Sequence, residues 1–470
     1  MQFKPRLSQV RMRERVVAGD VLLAAPPGLG KTAVVLDAID TLVFDMLAVR
    51  RVLVVAPKIV AEETWPDEIQ LWDQFHRLTY RVWTADDFDY VRQETTSYLR
   101  PRDPAAFAAK VVGHPAIVHI VSHDNFFAFA LALGKSWIFD MLVLDESFNF
   151  SNPEARKYIM VRKYIRPVLR RIVLLNGTPM GNHPEQFFGQ LLLVDNGQTF
   201  GSKVGAFRVQ YLEPASQDKR SGRVHSWKYR EGMFAAALNA ARDWVVSVLE
   251  HEWLDLPDMV VREVPVSIPR KAYEQMESEG ALQFEDNAEA LAINAGVMFG
   301  KLSQLAGGIV YDTDGNWHET HRVKLDALRE IVEGHGAPLI IWVEYDPDRQ
   351  RILREFPQAQ PVEKIDRLQQ RWNAGELDMV VAHPQQLAAG ANLQHCPGGG
   401  MVWFAPTGNA VHWHQAIKRL WRSGRKELVM NYVITARNTV EQKRLKNLRS
   451  RTQMHETALE TFAIRRADCG

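Results

Sequence analysis

Short, unbroken apolar runs recur along the first two hundred residues: Val21–Leu23, Val52–Ala56, Ile117–Ser122, Met141–Leu144 and Ile172–Leu175, the last preceded by Arg171. Runs without polar alternation mark strands covered on both faces. Pro57 stops the second run, Asp145-Glu146 follows the fourth, and Asn176-Gly177-Thr178-Pro179 follows the fifth. Between the runs, apolar positions recur at helical spacing, as at Val34, Val35, Ala38, Ile39 and Leu42, and Phe3–Val17 reads as a helix leading into the first strand. Strands alternating with helices predict a doubly wound parallel sheet, whose ligands sit beyond the carboxyl ends of the strands.

The pattern changes from Gly197 to about Asp258, where a polar loop (Ser216–Arg223) precedes a Trp- and Ala-rich stretch, Ala236–Trp253, predicted to be helical. A second α/β pattern then begins. Val260–Ile268, Leu339–Val343, Met379–Ala382 and Met401–Phe404 are its expected strands; Arg270–Glu277, Lys324–Val332 and Asp348–Phe356 are its expected helices. The expectation is α/β with two lobes: residues 1–198, a helical linker or insertion over 199–258, and residues 259–470. A chain of 470 residues is also too long for one hydrophobic core.

Composition changes this picture little. At 46% hydrophobic and 24% charged the chain is ordinary for a globular protein. It holds no apolar run of the roughly 18 residues a membrane span needs. Met1–Arg6 does not lead into a signal-peptide apolar core. Cys396 and Cys469 form neither a disulfide framework nor a metal set, which fits a reducing compartment. The net charge of +1 hides an asymmetry, because Val411–Gly470 carries thirteen Lys and Arg against five Asp and Glu. That excess is either a solvated helical face or a polyanion contact.

The candidate chemistry begins at Ala25-Pro26-Pro27-Gly28-Leu29-Gly30-Lys31-Thr32, between an apolar run and a helical pattern. A strand, a Gly-rich loop, Lys-Thr and a helix form the setting in which backbone N–H groups and a helix N-terminus cradle phosphates. Pro27, Gly28, Leu29, Gly30, Lys31 and Thr32 are the expected ATP-binding residues, with Lys31 on the β/γ-phosphates and Thr32 on Mg²⁺. At the strand end, Asp145 is the expected second magnesium residue and Glu146 the base that activates water. Arg419 and Arg422, three apart on a predicted helix, project from one face and suit the charge of a transferring phosphoryl group. Gln9 is either a reader of the adenine edge or a surface amide.

These motifs, in this order, resemble the Swi/Snf-like branch of superfamily-two helicase-related ATPases, in a minimal form such as bacteria or phages carry. Ala25–Thr32 resembles motif I, Val55–Lys58 with Trp65–Glu68 motif Ia, and Leu144–Ser147 motif II. Leu175–Asn182 is similar to "LTGTP..N", Gly390–Gln394 to "G.GLNLQ", and Gln415–Gly424 to "Q…R..R.G". The match runs from about Pro5 to Val440, with Lys301–Gly308 resembling the opening of the second lobe. The resemblance implies two RecA-like lobes that use ATP and Mg²⁺, with the arginine pair coming from the second lobe. It also implies phosphate-backbone contacts at Lys58, Thr178, Asn182, Asn392 and Gln394.

Phe148 stands where many relatives have a histidine, Asn176 replaces a threonine, and Arg425 replaces a glutamine. The departures leave hydrolysis intact and bear on its coupling to movement. The expected function is an ATP-dependent translocase on duplex DNA, monomeric, away from membranes, in the cytoplasm of a bacterial or phage-infected cell. A strand-separating DNA or RNA helicase is the enzymatic alternative, and an ATP-switched binding scaffold the non-enzymatic one. Trp403, Trp413 and Trp421 are read either as core or as stacking platforms for bases.

Overall fold

The computed structural model describes residues 1–88, 90–92, 99–217, 222–284, 288–387 and 391–465; residues 218–221 of the polar loop, Gly390 and Cys469 lie outside the described residues. The chain forms two units, Met1–Leu254 together with Met454–Gly470, and Asp255–Gln453.

The first unit is built on β1 (Val21–Ala24), β2 (Val52–Ala56), β3 (Tyr80–Trp83), β4 (Val118–Ser122), β5 (Met141–Leu144), β6 (Arg171–Asn176) and β7 (Val245–Ser247). Their order across the sheet is β7-β1-β6-β5-β2-β4-β3, and every pairing is parallel. Successive residues of each strand feed opposite cores. Leu22, Leu53, Leu142 and Ile172 enter one, while Leu23, Val54, Val143 and Val173 enter the other. With both faces covered, polar alternation has no place, which is why the runs are continuous. Helices α1 (Leu7–Ala18) and α2 (Lys31–Asp40) flank β1 in sequence, and α3 (Pro184–Asp195) follows β6.

The stretch expected to be helical, Ala236–Trp253, is a helix only at Met233–Ala240 and Glu250–Trp253; between them lies β7. Its register, Leu22↔Val245, Leu23↔Val246 and Ala24↔Ser247, makes it the sheet's edge. Two buried β-branched residues pairing with β1 outweigh the helical preference of the neighbouring alanines. The rest of 199–258 holds the helix Val204–Tyr211 and the antiparallel hairpin Leu212–Gln217/Val224–Tyr229. The end of the chain closes on β7. Ser247 N–H donates to Phe462 O at 2.9 Å, Ile464 N–H donates to Ser247 O at 2.9 Å, and Ala458 and Phe462 enter the first core.

The second unit has a six-stranded parallel sheet of β8 (Met259–Val266), β9 (Leu339–Trp342), β10 (Ala359–Pro361), β11 (Met379–Ala382), β12 (Gly400–Trp403) and β13 (Val429–Ala436), ordered β8-β13-β12-β9-β11-β10. Helix α4 (Ala410–Leu420) carries Arg419 but ends before Arg422, which lies in the turn that follows, so the two arginines do not share the expected helix face; α5 (Val440–Thr461) follows β13. Trp403 and Trp413 are buried with ring centroids 4.7 Å apart. Trp421 is half-buried and donates from Nε1 to Pro257 O at 2.7 Å. All three are packing residues here. Lys324 and Glu441 form an ion pair with both side chains at 0% exposure; Lys324 Nζ also donates to Phe404 O at 3.0 Å.

Candidate active site

Three loops leave the carboxyl ends of neighbouring strands in the first unit: one after β1, one after β5 and one after β6. Ala24 pairs with Asn176, so the β1 and β6 loops start side by side. A Cβ on Gly177 would stand 3.3 Å from Pro27 Cδ and 3.8 Å from Ala25 O, so the two loops touch. The β5 loop leaves the next strand over, since Leu144 pairs with Leu174.

Gly28 and Gly30 take φ of +91° and +75°, the left-handed region a side chain resists. Gly30 has a second reason to be glycine: a Cβ there would meet Gln9 Nε2 at 2.4 Å. Gln9 is buried, accepts from Arg6 N–H at 2.8 Å and donates to Leu29 O at 3.2 Å. Its amide is thus engaged with the Gly28–Gly30 loop itself. Lys31 is half-buried, and its ammonium donates to Ala25 O and Pro26 O, the loop's own carbonyls. Lys31, Thr32 and Ala33 open α2, where helix geometry leaves N–H groups without an intrahelical acceptor.

Asp145 is buried, and each carboxylate oxygen accepts one hydrogen bond: Oδ1 from Glu146 N–H at 2.9 Å, Oδ2 from Trp65 Nε1 at 3.1 Å. Burial raises its pKa above the ordinary carboxylate value, opposed by the Lys31 charge and by these two donors. His123 donates from Nε2 to Asp145 O at 2.8 Å, and burial pushes its pKa down to about 4. Glu146 sits at φ +48°, ψ +53°, left-handed for a residue with a side chain. Such backbone costs on the order of 1–3 kcal/mol and gathers at functional sites. The positive-φ loop, the N-terminal turn of α2 and a buried carboxylate with lone pairs left over fit a magnesium–nucleotide group. Lys31, Gly28, Leu29, Gly30 and Thr32 would hold the phosphates, and Thr32 and Asp145 the metal.

The β6 loop holds Thr178 and Asn182. Thr178 is buried and donates from N–H and Oγ1 to Asn176 Oδ1 at 2.9 and 3.3 Å; half-buried Asn182 donates from N–H to Gln186 Oε1 at 2.6 Å. Lys58, after β2, is exposed.

The second unit carries the remaining expected residues on two linked segments. Arg419 Nη1 donates to Ala391 O at 3.4 Å, Leu393 N–H donates to Arg419 O at 3.1 Å, and Arg422 Nη1 donates to Asn392 Oδ1. Gln394, 8% exposed, lies on the same loop. Arg425 completes the clamp: 4% exposed, it donates to Gly399 O and Glu427 O at 3.1 Å, to Gln394 O at 3.4 Å, and to Cys396 O. Asn392 and Gln394 are thereby tied to the arginine segment.

Trp65, His123, Gln190 and Arg425 serve these loops without having been assigned a role above. Trp65 stood in the motif Ia resemblance and Arg425 stood out as a departure, but His123 and Gln190 carry no local sequence signal.

Residues 10–231 match the sequence model of the SNF2-related domain. Over 452 residues the chain is 28% identical to "Putative protein p41" of Acyrthosiphon pisum secondary endosymbiont phage 1, covering 93% of each. It is 22% identical to Protein CHROMATIN REMODELING 25 of Arabidopsis thaliana, over 90% of this chain and 51% of that one. It is 23% identical to DNA repair and recombination protein RAD54 of Oryza sativa subsp. japonica, over 90% of this chain and 47% of that one. The chain thus spans about half the length of these two plant proteins. A solved structure, the Sulfolobus solfataricus SWI2/SNF2 ATPase core in complex with dsDNA, matches at a TM-score of 0.43 and 16% identity, covering 98% of this chain and 94% of that one.

Proposed function

We propose, from the match of residues 10–231 to the SNF2-related domain, that the chain hydrolyses ATP to move along duplex DNA and displace what it meets. The observation that supports this reading is the meeting of the Lys31, Asp145 and Thr178 loops at the carboxyl edge of one parallel sheet.

Magnesium ATP supplies the phosphoryl group whose transfer to water releases the free energy used. Lys31 exchanges the carbonyls of Ala25 and Pro26 for phosphate oxygens, so its desolvation is already part-met within the loop. Thr32 and Asp145 hold the metal, with Trp65 and the Glu146 N–H fixing the Asp145 carboxylate. Glu146 orients and deprotonates the attacking water. Arg419 and Arg422 meet the charge that develops on the transferring group, the task of an arginine finger. Lys58, Thr178, Asn182, Asn392 and Gln394 track the DNA backbone, so binding weakens steeply with salt.

ATP turnover measured with and without duplex DNA at low salt tests the reading. Stimulation by duplex DNA is expected, and its absence overturns it. Arg419→Ala and Arg422→Ala each lower turnover, on the order of 10³-fold if the pair acts as a finger, with ATP binding less affected.

A further inference from the structure

Two departures from the resembled family fall beside Glu146 and Thr178. Phe148 replaces a histidine after Glu146, and Asn176 replaces a threonine before Thr178. The structure joins the same two places by another route. Gln190 on α3 is fully buried, as are Ser147 and Asn176. Its Oε1 accepts from Ser147 Oγ at 2.9 Å and from Asn176 Nδ2 at 2.7 Å. Its Nε2 donates to Pro179 O at 2.9 Å and to Gln186 O at 3.2 Å. Asn176 passes the connection on, because its Oδ1 accepts both the N–H and the Oγ1 of Thr178. One amide thus links the residue after Glu146 to the loop that carries Thr178.

Helix α3 packs closely against both loops. A Cβ on Gly189 would stand 2.0 Å from Ser151 O, so the helix backbone lies directly on the turn that follows Glu146. At its start, Gln186 Oε1 accepts from the N–H groups of Asn182 at 2.6 Å and His183 at 3.1 Å. Gln186, Gly189 and Gln190 therefore place one helix against both loops. A fully satisfied buried polar network of this kind has few alternative arrangements, so displacement of one end is costly unless the other follows.

We propose that Gln190 is a positioning residue that couples the Asp145–Glu146 strand end to the Thr178–Asn182 loop, replacing the link that Phe148 cannot make. The proposal rests on the reading of the chain as a DNA-stimulated ATPase. Its signature is a changed ratio of DNA-stimulated to basal turnover, which a merely structural residue would not produce.

The test compares Gln190→Leu, Ser147→Ala and the double variant with the parent, measuring ATP turnover with and without saturating duplex DNA and the thermal melt of each. Gln190→Leu lowers the stimulation ratio by about tenfold, and Ser147→Ala by about threefold. The double variant falls no further than Gln190→Leu alone, because both act through one bond. Should Gln190→Leu fail to fold, Ser147→Ala, which only removes a donor, decides. A parent that duplex DNA does not stimulate overturns the functional reading and the proposal together. A stimulated parent whose folded variants keep its ratio, or lose basal and stimulated turnover by the same factor, overturns the proposal alone.

Discussion

Arg425→Gln restores the residue type usual in the resembled family, and the structure predicts that it weakens this chain. The parental guanidinium reaches Gly399 O and Glu427 O at 3.1 Å, Gln394 O at 3.4 Å, and Cys396 O. Its ion pair with Glu427, 3.5 Å apart, counts for little, since Glu427 is 55% exposed. A buried carbonyl left without a donor costs about 1–3 kcal/mol. Two well-bonded carbonyls lie within the loop, at Cys396 and Gly399, and a shorter glutamine can recover one. The cavity of about 250 Å³ beside Gln394, Cys396 and Arg425 also admits water, which favours the low end. The expected loss is about 2 kcal/mol. In a unit the size of Asp255–Gln453 that is a fall in melting temperature of about 4–8 °C. Because the loosened loop carries Asn392 and Gln394, the duplex DNA needed for half-maximal ATP turnover rises more than turnover at saturation falls. Calorimetry and a DNA titration of turnover measure the two effects. A variant that melts with the parent and saturates at the same DNA concentration refutes the reasoning.

Lys31→Ala abolishes turnover, and Glu146→Gln binds ATP without hydrolysing it, as fluorescent-nucleotide binding beside phosphate release would record. Lys324→Met strands Glu441 at 0% exposure, costing about 3–5 kcal/mol in denaturant unfolding, whereas Lys324→Met with Glu441→Leu costs less than either single change. Stability also falls in acid. Burial lowers His119 and His321 from 6.5 to about 4, and His119 is held neutral by accepting from Trp83 Nε1 at 3.0 Å while Nε2 faces Ala116 O at 3.1 Å. Each of these two histidines binds fewer protons folded than unfolded between these values, so its contribution to stability is fully present above pH 6.5 and drains away towards pH 4, by at most about 3 kcal/mol for His119. Urea midpoints across that range report it.

The central strands were legible because each is a short apolar run with a turn signal at its end; Met141–Leu144 and Met379–Ala382 match residue for residue. The edges were not. Tyr80–Trp83 and Val245–Ser247 are strands by virtue of their partners, and a partner far along the chain leaves no local mark. The site shows the same division. Lys31, Asp145 and Thr178 could be placed together from strand ends alone, since parallel topology dictates where those ends lie. The groups that hold them, Gln190 on α3 and His123 after β4, act through tertiary hydrogen bonds. Gln9 is buried and so is not a surface amide, and its hydrogen bond to Leu29 O is a tertiary contact that no local pattern announces.

The closure of Phe462 and Ile464 on Ser247 has a consequence for biosynthesis. The first unit is discontinuous, so a ribosome must finish all of Asp255–Gln453 before releasing the residues that complete it. The second unit, continuous in sequence, can fold as it emerges, while the larger one waits with its β7 edge unpaired. A fragment ending at Leu254 would lack Ala458 and Phe462 from its core. Truncation from the far end, hundreds of residues from Lys31, is felt first in the sheet that carries it.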